Sequence, residues 1–136
     1  MCSWRCVVDR CPCGSRREYG ECCEPFHLGG AAPTAEALMR SRYSAFARGL
    51  APYLHRTWHP STRPDRVDLD AGTTWRALQI VDTVDGGPDD ATGVVEFRAI
   101  ARTADGERRV QHERSSFTRV DGRWHYLDGG TGPLVR

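Results

Sequence analysis

Long apolar runs are missing from this sequence, and so is any excess of charge. No stretch of about 18 consecutive apolar residues occurs in the 136-residue chain, so no membrane-spanning helix and no membrane partner are expected. The first ten residues, MCSWRCVVDR, lack the apolar stretch of a signal peptide, which predicts a cytoplasmic protein. Basic residues number 19 and acidic residues 18, for a net charge of +1, so overall charge implies no polyelectrolyte partner. Arginine dominates the basic set but is scattered and forms no block. No glycine-rich phosphate loop, dinucleotide fingerprint or Ser-His-Asp spacing is present, so no nucleotide or acyl-transfer chemistry is predicted. What remains is an ordinary globular composition, with 39% hydrophobic and 27% charged residues and a mean hydropathy of −0.56. A chain of this length buries roughly two-thirds of its unfolded surface, so folding as a whole needs neither metal nor disulfides.

Cysteine is absent from residue 24 onward. All six lie at positions 2, 6, 11, 13, 22 and 23. A disulfide framework staples distant parts of a secreted domain, which such crowding cannot do. In a chain with no export signal the cluster reads as metal-binding. The segment CPCGSRREYGECC spaces its cysteines as Cys-x-Cys, eight residues, then Cys-Cys. Zinc takes four such soft ligands on a tetrahedron, with sulfurs about 2.3 Å from the metal. Gly14-Ser15 allows a tight turn beside the ion, and Gly20 offers the same before the second pair. Arg16 and Arg17 are placed to offset a site of formal charge about −2. Free buried thiols or a redox pair are the competing reading. For Cys2 and Cys6 three roles stand open: functionless terminal residues, an adventitious metal pair or an oxidisable pair.

CPCGS…CC resembles the SEC-C motif, the small zinc module at the C-terminus of the translocase motor SecA and in many bacterial proteins. The resemblance implies one zinc ion held by Cys11, Cys13, Cys22 and Cys23, with Tyr19 kept at a position where the motif has Lys or Tyr. Four thiolates close the coordination shell, whereas a catalytic zinc keeps a position open, so a structural ion is expected. His27 could compete as a ligand, but the four cysteines already fill the shell.

Downstream, Glu24 to Gly30 reads as a connector. Thr34 is placed to cap a helix that Gly49 ends, with Leu38, Met39, Tyr43, Phe46 and Leu50 on its apolar face. A short helix is predicted over Pro52–Trp58, stopped by Pro60 and Pro64. Strands are predicted over Leu78–Val84, Thr92–Thr103, Arg109–Val120 and Trp124–Leu127. Asp105-Gly106 and Asp121-Gly122 are the turn signals of two-residue hairpins. Helices followed by a meander of about four antiparallel strands give an α+β layout, with helices packed on one face of a curved sheet enclosing a cone. The aromatic residues Tyr43, Trp58, Trp75, Phe97, Phe117, Trp124 and Tyr126 are assigned to the core.

RSRYSAF (40–46), TWHPS (57–61), VEF (95–97), HERSSF (112–117) and GRWHYLDG (122–129) together are similar to the YchJ family. That family joins an N-terminal SEC-C motif to a domain of the nuclear-transport-factor-2-like (NTF2-like) fold. The resemblance implies a zinc-bearing segment over residues 1–30, with the knuckle at 11–23, and an NTF2-like cone over 31–136. The cysteine-free C-terminus lacks the second SEC-C motif of some members. The resemblance implies no particular reaction.

Within the cone, alternation along residues 109–120 puts Glu113, Ser115 and Phe117 on one face and His112, Arg114 and Ser116 on the other. A Glu113–Arg42 pair across a cavity is one candidate site. His59, beside Trp58 at the cavity mouth, is a second candidate, as an acid or base near neutral pH. Taken singly, Glu113 also fits a structural ion pair, His59 a loop residue, and His112 and His125 exposed strand faces. The leading reading is a binding module. The knuckle, with Arg16, Arg17, Glu18 and Tyr19, would meet a protein partner, with ribosome or nucleic acid as further possibilities. The cone would hold a small ligand. An enzyme of unknown reaction using Glu113, Arg42 and His59 is the alternative, and a zinc that only stabilises the N-terminus is a third reading.

Overall fold

The computed structural model describes residues 9–69 and 71–131. Cys2, Cys6 and the last five residues lie outside the described residues. The central helix forms where its signals stand. Thr34 Oγ1 accepts from the Ala37 amide at 3.0 Å, Gly49 turns left-handed at φ 75°, and between them runs α2, Ala35–Arg48. A non-glycine residue at 49 would be strained at that angle. Leu38, Met39 and Tyr43 are buried on one face, as their spacing predicts. Ser41, Arg42 and Ser44 are buried as well, which hydrophobic periodicity does not announce. Leu50 packs with Tyr53 and Leu54 in a smaller apolar cluster beyond the helix end.

Two helical boundaries differ from expectation. The connector after Cys23 contains one helical turn, α1, Glu24–His27, preceded by a 3₁₀ turn, Tyr19–Glu21. The short helix α3, Ala51–Arg56, ends before Trp58. The chain there leaves the helix to pair with the sheet: the Tyr126 amide donates to Thr57 O at 2.8 Å, and the His59 amide to Tyr126 O at 2.7 Å.

The strands are β1, Thr74–Asp85, β2, Thr92–Arg102, β3, Arg108–Val120, and β4, Arg123–Thr131. They form one antiparallel meander in the order β1-β2-β3-β4. β1 starts at Thr74 because Thr74 and Trp75 pair with Arg102 and Ala101, and β4 extends past Leu127 to reach Glu113. Val95, Phe97, Ala99 and Ala101 alternate inward and are buried, while Arg98 and Arg102 point out. Asp121 and Gly122 both take positive φ in a two-residue turn. At the other predicted hairpin only Gly106 does, and the loop spans residues 103–107, closed by Thr103 N–H to Glu107 O at 2.9 Å. Register breaks at Trp75/Ala77 and Ile80/Asp82 in β1, and opposite Ser116/Phe117 in β4, curve the sheet around α2. Cys11, Cys13 and Cys23 belong to the same buried cluster as Leu38, Tyr43, Phe97 and Phe117. No described helix is long and apolar enough to cross a membrane.

Candidate metal centre and cone cavity

The loop from residue 11 to 23 closes on itself through Cys11 N–H to Arg17 O at 2.9 Å and Cys22 N–H to Tyr19 O at 3.1 Å. Gly14 takes the expected left-handed conformation, but the second such residue is Arg16 at φ 69°, not Gly20. The result brings the sulfurs of Cys11, Cys13, Cys22 and Cys23 within 4.8 Å of one another. Cys13 and Cys22 sulfurs are 3.6 Å apart, Cys22 and Cys23 3.9 Å. Ligands about 2.3 Å from a tetrahedral ion stand about 3.8 Å from each other, so these edges suit a metal ion. None of the four is in a disulfide.

Neighbouring groups complete the donor set. Ser44 Oγ, from α2, lies 3.3 Å from both the Cys11 and Cys23 sulfurs, and Ser15 Oγ 3.1 Å from Cys22. Such partners orient the sulfurs around an ion. Arg40, also from α2, donates to the Cys13 carbonyl at 2.9 Å. Arg16 and Arg17, the cations expected there, are exposed, and Arg17 is spent on the Glu21 carbonyl. Hydrogen bonds from Cys11 and Cys23 hold the Cys13 thiol far below its usual range, contacts with Cys11 and Cys13 push Cys23 up, and burial raises Cys22. A divalent cation bound among the sulfurs would supply the charge that favours their thiolate forms. His27 is no competing ligand here: its Nδ1 meets Tyr19 Oη at 2.6 Å and its Nε2 the Ser41 carbonyl at 2.8 Å.

Between α2, Trp58 and the concave sheet lies a cavity of about 190 Å³. Met39, Tyr43, Phe46, Trp75, Phe97 and Ala99 form its apolar wall, and Arg42, Trp58, Gln111, Glu113 and Tyr126 its polar end. Arg42 is 3% exposed, donates from Nη1 to Leu54 O at 2.9 Å and Thr57 Oγ1 at 2.7 Å, and stacks 4.6 Å from the Tyr126 ring centre. Burial pulls its pKa down to about 10, which leaves it a cation at neutral pH. Glu113 faces inward as alternation predicts. Its Oε1 accepts from Gln111 at 3.1 Å, and its Oε2 from Ser115 at 2.5 Å and Tyr126 at 3.3 Å. A methyl group on Gly129 would collide with this carboxylate, so the missing side chain makes its seat.

Arg42 and Glu113 therefore line one cavity, but α3 and not Glu113 supplies the hydrogen-bond partners of Arg42. His59 is not among the residues that line the cavity, and its Nδ1 meets the Ser61 amide at 3.0 Å and hydroxyl at 2.8 Å. Trp58, Trp75 and Tyr126, assigned to the core, are half-buried cavity walls. Trp58 Nε1 is buried with no hydrogen-bond partner among the described residues. Gln111 was legible by the alternation that located Glu113, two residues on. On the outer face His112 Nε2 meets Glu96 at 2.6 Å, with Arg114 beside it at 2.9 Å.

The profile of the SEC-C motif matches residues 9–25, and that of the YchJ middle NTF2-like domain residues 34–129. A UPF0225 protein of Streptomyces coelicolor is 58% identical over 120 residues, covering 88% of this chain and 93% of its own. One from Corynebacterium efficiens is 53% identical over 122 residues, 88% of this chain and 92% of its own. Two solved structures share the fold. The solution structure of a SEC-C motif containing protein from Rhodopseudomonas palustris has a TM-score of 0.78 and 34% identity, over 91% of this chain and 99% of that one. A crystal structure of a SEC-C motif containing protein from Psychrobacter arcticus has a TM-score of 0.73 and 30% identity, over 95% and 86%. With the cysteine cluster in the matched motif and the curved sheet in the matched domain, the chain belongs to the YchJ (UPF0225) family.

Proposed function

We propose that this protein is a binding module with one structural zinc ion, in which the cone cavity takes up a small ligand. The observation that carries the zinc reading is the burial of Cys11, Cys13 and Cys23 in the same core as α2 and the sheet. A closed sulfur shell inside a shared core suits an ion that holds the N-terminal loop on the helix, with no position left for water. Four soft ligands at tetrahedral edges favour zinc over hard cations. The cavity reading is supported by apolar walls ending in a few convergent polar groups. Tyr19 is buried, so the surface left to a protein partner at the knuckle is Arg16, Arg17 and Glu18. The enzyme alternative keeps Glu113 and Arg42 in the cavity, while His59 is not among its lining residues.

Metal analysis tests the first half: freshly purified protein should hold about one equivalent of zinc, and less than half an equivalent would refute it. Saturable uptake of toluene, which an occluding Phe46→Trp substitution abolishes, tests the second. If toluene binds identically in that variant, the cavity is not the binding site.

A further inference from the structure

The cavity's polar end is more specific than its apolar wall. Four residues are committed to one carboxylate: Gln111, Ser115 and Tyr126 donate to Glu113, and Gly129 leaves room for it. A carboxylate has about four lone-pair sites, so three donors leave about one for a visitor. At the same end of the cavity the Arg42 guanidinium rests on the Trp58 and Tyr126 rings, at 5.3 and 4.6 Å. Its two hydrogen bonds leave from Nη1 and use both protons there, so an acceptor would meet Nε or Nη2. The walls thus offer one negative and one positive charge, each held by neutral partners.

We infer that the cavity recognises an uncharged one-ring amide, an aromatic or cyclic carboxamide. This rests on the reading that the cavity binds a small ligand. The ring lies against Tyr43, Phe46 and Trp75, the amide N–H donates to Glu113, and the amide oxygen accepts at the Arg42 end. Size limits the ring count: an apolar cavity of about 150 Å³ admits benzene. The space of about 190 Å³ here admits one ring with a short substituent. Charge balance sets the polar group. A net anion or cation would add an unmatched charge to a site whose own two charges already cancel, and desolvating an unmatched charge is costly. An amide brings one donor and one acceptor in a plane and no charge.

The experiment titrates metal-loaded full-length protein with benzamide, benzoate, benzylamine and toluene, following cavity resonances by NMR. Benzamide should bind at least tenfold more tightly than each of the others. Glu113→Gln should erase its advantage over toluene while toluene affinity holds. Tyr126→Phe, which removes one of the donors that fix the carboxylate, should reduce that advantage and serves if the first variant fails to fold. Toluene binding as well as benzamide would overturn the amide inference and leave the cavity reading standing. Benzoate or benzylamine binding tightest would overturn it too. No saturable binding by any of the four would overturn both.

Discussion

Ser44 has no exposed surface and its hydroxyl touches two of the four sulfurs. Outer-shell hydroxyls of this kind fix ligand orientation, and their loss typically costs about 10–100-fold in metal affinity. Ser44→Ala should therefore leave a folded protein whose zinc affinity falls by at least about tenfold, read by competition with a chromophoric chelator. Unchanged affinity would show that the hydroxyl is only filler. His27 makes a second prediction at this scale. Burial holds its pKa below the ordinary value, helped by Arg48 and Arg56 and opposed by the Ser41 carbonyl and Glu24. Below about pH 6.5 the unfolded chain then takes up a proton that the folded chain refuses. Stability should thus fall as pH drops through that value and level off below the folded pKa. NMR titration of the imidazoles checks the premise: a His27 midpoint at or above 6.5 would reverse it.

For single elements, the N-cap of α2 is the clearest lever. Thr34→Ala removes the acceptor of the Ala37 amide and should destabilise the protein by about 1 kcal/mol, a few degrees in Tm by scanning calorimetry. An unchanged Tm would mean that packing alone positions this helix. The same cap made α2 legible in the sequence, as β-rich composition did for β2 and as Asp121-Gly122 did for the last turn. The beginning of β1 and the helical turn at Glu24–His27 were not legible, because tertiary pairing decides both. In the candidate metal centre the cysteine spacing and the SEC-C resemblance together pointed to the four sulfurs that the fold gathers. Ser44 and Arg40 could not be named from it, since Ser44 stands 33 and 21 residues from the two cysteines it meets and Arg40 27 from Cys13, and both depend on which face of α2 the loop covers. Along β3, period-two alternation placed Glu113 inside. Ser115 shares that face by the same alternation, while the Tyr126 donor follows only once β4 is paired and bulged.

In the molecule as a whole, the cysteine loop has no core of its own. Its buried residues share one cluster with the sheet and α2. Removing the metal should therefore lower the stability of the entire protein and not merely loosen its N-terminus. Calorimetry with and without a chelator should show one transition that moves down by several degrees. A cone transition at unchanged temperature would show that the loop melts independently.

α2 serves both sites at once, presenting Arg40 and Ser44 to the cysteines and Met39, Arg42 and Tyr43 to the cavity. If the cysteines hold an ion and the cavity a guest, both would lean on one helix, and any coupling between them would be reciprocal. If the ion tightens the cavity's hold on its guest by some factor, the guest tightens the hold on the ion by that same factor. A cell short of zinc would then see the protein release its guest, and a cell rich in the guest would see it keep its zinc.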